Sequence, residues 1–142
     1  MGTPVIKALL QSGFDVTAIT RQQSTATFPA EVIVKRADTS SVDALTEVLK
    51  GQDAVVSAVG TAAAGTQMTI IESAIAARVK RFIPSEFGYN TREAHGTTIG
   101  SLLKAKIETV DYLIELAQKH DWFTWTGIST GTLFDWVSNP TN

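Results

Sequence analysis

Few combinations of side chains in this sequence could carry acid, base or nucleophilic chemistry. There is no cysteine, and the two histidines, His95 and His120, are far apart. Neither a disulfide framework nor a Cys/His metal site is expected from them. Lys104 and Lys106 flank Ala105 near the start of a long helical stretch. A tyrosine four residues before a lysine would supply a phenolic acid beside an ammonium, but Gly100 and Leu102 hold those positions. Lys104 also stands one turn before Glu108, a spacing that suits a plain surface ion pair. Arg21 closes a β-branched run, where a doubly wound fold presents a side chain to a ribose. An acidic residue there would bond a 2′-hydroxyl, whereas a guanidinium can pair with a 2′-phosphate. An exposed strand-end arginine fits the position equally well. Ser85 and Phe87 lie just beyond the run Arg81 to Pro84, the region where open α/β sheets place their ligands.

The elements that would position these residues alternate in kind. Short apolar runs at Val16 to Ile19, Val32 to Val34, Ala54 to Val59 and Arg81 to Pro84 alternate with stretches of helical spacing. That alternation predicts βαβ units and a doubly wound parallel sheet covered on both faces. Ser40 with Asp43 predicts a capping box for a helix reaching Lys50, stopped by Gly51, and Gly13 ends the first helix. Leu103, Ile107, Val110, Ile114 and Ala117 form one stripe, predicting a long helix over 100–119. Thr3 reads as an N-cap and Pro4 as the first helical residue, so no strand is expected before that helix. In the strand order 3-2-1-4-5-6 the strand missing there is the central one. Its absence would leave two strand edges facing a gap and make independent folding marginal.

Composition narrows the classes. With 142 residues, 44% of them hydrophobic, and 12 basic against 14 acidic side chains, the chain fits one globular domain. The near-neutral, unclustered charge argues against direct nucleic-acid or anionic-membrane binding. No apolar run approaches the roughly 20 residues of a membrane span. Ile6 stands where a myristoylation signal requires Ser or Thr. A cytoplasmic location is expected.

Three segments carry a family resemblance. The string Val79-Lys80-Arg81-Phe82-Ile83-Pro84-Ser85-Glu86-Phe87-Gly88, with Ser57-Ala58-Val59-Gly60 and Lys104-Ala105-Lys106-Ile107, resembles the NmrA-like, isoflavone reductase-like family of atypical short-chain dehydrogenases. Trp125 to Gly131 is similar to fungal members in particular. The resemblance covers essentially the whole chain and implies a Rossmann-like α/β fold binding NADP(H). It also implies that residues 1–142 are a partial NAD(P)-binding domain, because family members add a substrate lobe beyond the point where this chain stops.

By that resemblance, Gly2 is the last glycine of a GxxGxxG turn that lets a pyrophosphate approach the first helix. Arg21 would select NADP over NAD, and Asp38 would lie beside the adenine, although a turn aspartate fits Asp38 locally. Val59 and Gly60 would let the cofactor lie close to the backbone, as a plain turn glycine also would. Ser85 and Phe87 would line the nicotinamide pocket. Lys104, partly desolvated, would pass a proton as hydride moves. The family follows its lysine pair with Ile and basic residues, whereas Glu108 and Thr109 follow Ile107 here. The implied activity is reduction of a small carbonyl, enone or aromatic ether compound. The alternatives are a non-catalytic dinucleotide sensor that binds a protein partner, and an inactive truncated gene product. Trp122, Trp125 and Trp136 are expected to pack rather than to form a site. His95 lies nearest the expected active-site mouth and is read as a loop residue.

Overall fold

The computed structural model describes residues 2–60, 65–88, 90–94 and 96–131. His95, Trp136 and the C-terminal residues therefore lie outside the described residues. Helix α1 spans Gly2–Gln11 and strands β1 and β2 span Thr17–Thr20 and Ile33–Arg36. They are followed by α2 Val42–Leu49, β3 Ala54–Val56, α3 Gln67–Ala76 and β4 Arg81–Ile83. The remainder is α4 Thr98–Leu102, α5 Lys104–Lys119 and β5 Thr124–Trp125. Among the described residues every strand pairing is parallel, in two sheets ordered β1-β2 and β3-β4-β5.

The fold is the expected α/β, with strand order interrupted at one place. Among the described residues no strand lies between β1 and β3. Val16 and Thr20 carbonyls accept from Ile33 and Ala37 N–H groups, both at 3.0 Å. In a parallel ladder the intervening residues, Thr17 and Ile19, then direct their peptide groups to the opposite edge. Two cores explain how the pieces cohere. Val16, Ala18 and Val32 pack with Ile6, Leu9, Leu10 and Phe28. The larger core joins Leu49, Ile71, Ala74, Val79, Phe82, Leu113, Leu116 and Phe123. Ile19 of β1 and Val55 of β3 both pack against that larger core. Alternation along β1 thus sends Ala18 to one cluster and Ile19 to the other.

Local chemistry corrects several boundaries. The α2 cap is Ser41, whose side chain accepts from Ala44 N–H at 3.2 Å, because Ser40 is engaged by Asp38 instead. Gly51 at φ +79° ends that helix as expected. Helix α1 already includes Thr3, and Pro4 is tolerated in its first turn, where an N–H would lack a partner. The single long helix over 100–119 is in fact two, broken at Leu103 with φ −101° and ψ 12°. The buried stripe of α5 is Thr109, Val110, Leu113 and Leu116, rotated from the expected one. Full coverage of the strands also fails at β2, where Ile33 and Val34 are 59% and 44% exposed. β2 is a sheet edge and a loop, not a helix, connects it to β1. Trp125 lies in β5 and Trp122 just before it, and both pack against the larger core.

Candidate dinucleotide site

Because all strands run parallel, their carboxyl ends gather on one side, and the sequence-predicted residues follow from those ends. Arg21 directly follows β1, Asp38 follows β2, Val59 and Gly60 follow β3, and Ser85 and Phe87 follow β4. Arg21 and Asp38 come together on one cavity of about 490 Å³, with Gln22, Gln23, Ser24, Ala37 and Thr39. Asp38 is oriented by Ser40, whose hydroxyl donates at 2.6 Å and whose N–H donates at 2.9 Å. The Ser40 hydroxyl, then its N–H, holds the Asp38 carboxyl below its ordinary range. The Arg21 guanidinium makes no hydrogen bond or ion pair among the described residues, so its donors are free.

A second group forms at the ends of β3 and β4. The Ser85 hydroxyl donates to the Val59 carbonyl at 2.7 Å, and Ser85 N–H donates to Gln67 Oε1 at 2.8 Å. Gln67 is fully buried at the start of α3, and its Nε2 has no partner among the described residues. Ser57 Oγ, just past β3, and Thr20 Oγ1, at the end of β1, are likewise buried without partners. Unpaired buried polar atoms are costly, and a polar ligand at the strand ends would suit them. Phe87 is half-buried. Gly60 is exposed, and a Cβ built there or at Gly2 would meet nothing within 4 Å. Open space, not crowding, surrounds both glycines.

Lys104 is placed differently. It starts α5 with its side chain 79% exposed rather than desolvated, 3.7 Å from Glu108 Oε1. It lines another cavity, of about 710 Å³, with residues including Thr97, Ser101 and Ile107. The described contacts do not join it to Ser85. The break at Leu103 is what leaves Lys104 on an open helix start.

Sequence reasoning missed Gln67, Glu86, Thr91 and Lys106. Glu86 is buried, accepts from the Thr91 hydroxyl at 2.5 Å, and its Oε1 has no partner among the described residues. Burial pushes its carboxyl above the ordinary 4.5, against the Thr91 hydrogen bond and the positive charge of Lys106. The folded state therefore holds this proton more tightly than the unfolded chain. Its contribution favours folding at low pH and is lost as pH rises through the window above 4.5. Glu86→Gln should accordingly melt above wild type at pH 8, by about 3 °C, with the gap closing toward pH 5. Parallel melting curves across that range would refute the assignment. The signal for Glu86 was present in the signature string, but its burial was not legible there.

Comparison with known proteins identifies the family and the fold. A family model described as NAD(P)H-binding matches residues 1–141. Oxidoreductase poxI of Penicillium oxalicum is 38% identical over 146 aligned positions, covering 96% of this chain and 43% of the relative. Oxidoreductase aprR of Aspergillus flavus is 38% identical over 124 positions, covering 86% and 41%. The chain thus spans about two fifths of the length of these relatives. Among solved structures, isoflavone reductase superposes with a TM-score of 0.73 at 22% identity, covering 95% of this chain and 47% of that one. A leucoanthocyanidin reductase–NADPH complex from Vitis vinifera gives 0.69 at 26% identity, covering 88% and 42%. The chain belongs to the NAD(P)H-binding family, and its fold is that of isoflavone reductase.

Proposed function

We propose that this chain is the dinucleotide-binding part of an NADP(H)-dependent oxidoreductase acting in the cytoplasm on a small carbonyl, enone or aromatic ether compound. The observation that carries the reading is the cavity at the ends of β1 and β2, where Arg21 has free donors and stands at the end of β1 in place of a carboxylate. In this reading Arg21 pairs with the 2′-phosphate and Asp38, fixed by Ser40, lies beside the adenine. Gly2 and Gly60 leave room for phosphates and sugar, while Val59, Ser85 and Phe87 line the nicotinamide side. When bound, the dinucleotide supplies a hydride. Lys104 supplies a proton to the substrate oxygen from the open start of α5. The NADP complexes of the structural neighbours support the cofactor class.

Calorimetric titration tests the reading. NADPH should bind saturably and more tightly than NADH, and Arg21→Met should remove about tenfold of that difference, the worth of one charge-assisted contact. Equal affinity for both dinucleotides in wild type would overturn it. A second reading, a non-catalytic dinucleotide sensor with a protein partner, draws support from one observation, the exposed Lys104 already paired with Glu108.

A further inference from the structure

The register of the first sheet sets Thr20, the last residue of β1, opposite Arg36, the last residue of β2. Beyond Thr20 the backbone leaves the ladder and enters a turn, closed by Ser24 N–H donating to the Arg21 carbonyl at 3.0 Å. Ala26 N–H adds a bond to Ser24 Oγ at 3.2 Å. The carbonyls of such a turn have no strand to pair with, and in this chain one side chain collects them. Arg36 Nη1 donates to the Gln22 and Ser24 carbonyls, each at 2.9 Å, with a longer 3.4 Å contact to the Arg21 carbonyl.

The same turn, Arg21 to Ser24, forms one wall of the cavity on which the free Arg21 guanidinium lies. Arg36 does not line that cavity, so it acts on the site only through the turn. All three contacts come from Nη1, whose two N–H directions are fixed in the plane of the guanidinium, where an ammonium would turn freely on a flexible stem. We propose that Arg36 is a positioning residue: by clamping the 21–24 turn it fixes the direction of Arg21, and thereby sets the preference for a dinucleotide carrying a 2′-phosphate over one without it.

This inference rests on the NADP(H) reading above, and its test separates the two. Arg36→Met keeps the stem and removes the donors, and Arg36→Lys restores one cation. Both variants and wild type are titrated with NADPH and NADH, and amide exchange is followed at Gln22 to Ser24 in the ligand-free proteins. Arg36→Met should weaken NADPH about tenfold and NADH about twofold or less, with faster exchange in the turn and partial recovery in Arg36→Lys. Equal weakening of both dinucleotides would mean a merely structural role and would overturn the proposal, as would no change in either. A wild type without NADPH preference would instead refute the functional reading. Unchanged exchange in Arg36→Met would refute the clamp itself, whatever the dinucleotides do.

Discussion

Adding one methyl group in Gly100→Ala is expected to cost about 3 kcal/mol, or to unfold the 96–103 segment outright. A Cβ on Gly100 would stand 2.0 Å from the Ala94 carbonyl oxygen and 2.9 Å from its carbon, both backbone atoms that cannot swing aside. That oxygen is also held. It accepts from Thr97 N–H at 3.1 Å and from the Thr97 hydroxyl at 2.7 Å, while Gly100 N–H donates to Thr97 Oγ1 at 3.0 Å. Relieving the clash means breaking that knot of hydrogen bonds, so both strain and lost bonds oppose the substitution. Urea unfolding measures the global cost, and amide exchange at 97–103 shows whether the damage stays local. A variant as stable as wild type with unchanged exchange would show that 94 and 100 are not in contact. The same geometry bears on the chemistry. Gly100 occupies the position four residues before Lys104, and a side chain as large as tyrosine has no room there without displacing Ala94. The phenol–ammonium pair of ordinary short-chain dehydrogenases is thus excluded by packing at this site as well as by composition.

Much of the frame was legible because period and punctuation report local forces. Apolar runs became β1, β2 and β4 within a residue or two, whereas β3 stops at Val56, three residues short of the expected Val59; Gly13 and Gly51 end their helices with positive φ. What was not legible depends on pairing at a distance. Gln67 meets Ser85 across 18 residues and Arg36 meets Ser24 across 12, and nothing in local spacing joins either pair. The choice between Ser40 and Ser41 as a cap was decided by Asp38, which takes Ser40 for its own turn. The helix breaks at Leu103, three residues after Gly100 closes on Ala94, a contact that helical periodicity cannot register. The candidate site was readable as positions after strand ends, whereas the groups that orient it were not.

Lys104→Ala is expected to lower NADPH oxidation about a hundredfold, the usual worth of a positioned proton donor, with dinucleotide affinity changed by about twofold or less. The substitution is a clean one. Lys104 is exposed and its contact with Glu108 is a surface ion pair worth a few tenths of a kcal/mol, so stability should hardly move. Turnover is assayed with a panel of small carbonyl, enone and aromatic ether compounds against the parent protein. If Lys104→Ala turns over as fast as the parent, proton transfer does not depend on this amine. If neither protein oxidises NADPH while both bind it, the sensor reading prevails. Lys106→Met supplies the contrast. Lys106 is partly buried and its charge offsets the ionised Glu86, so its loss should fall on folding above the Glu86 pKa, not on the proton donor. A stability loss confined to Lys106→Met, together with a rate loss confined to Lys104→Ala, would assign the two lysines of one motif to different tasks: one to the reaction and one to the carboxylate that the fold has buried beneath it.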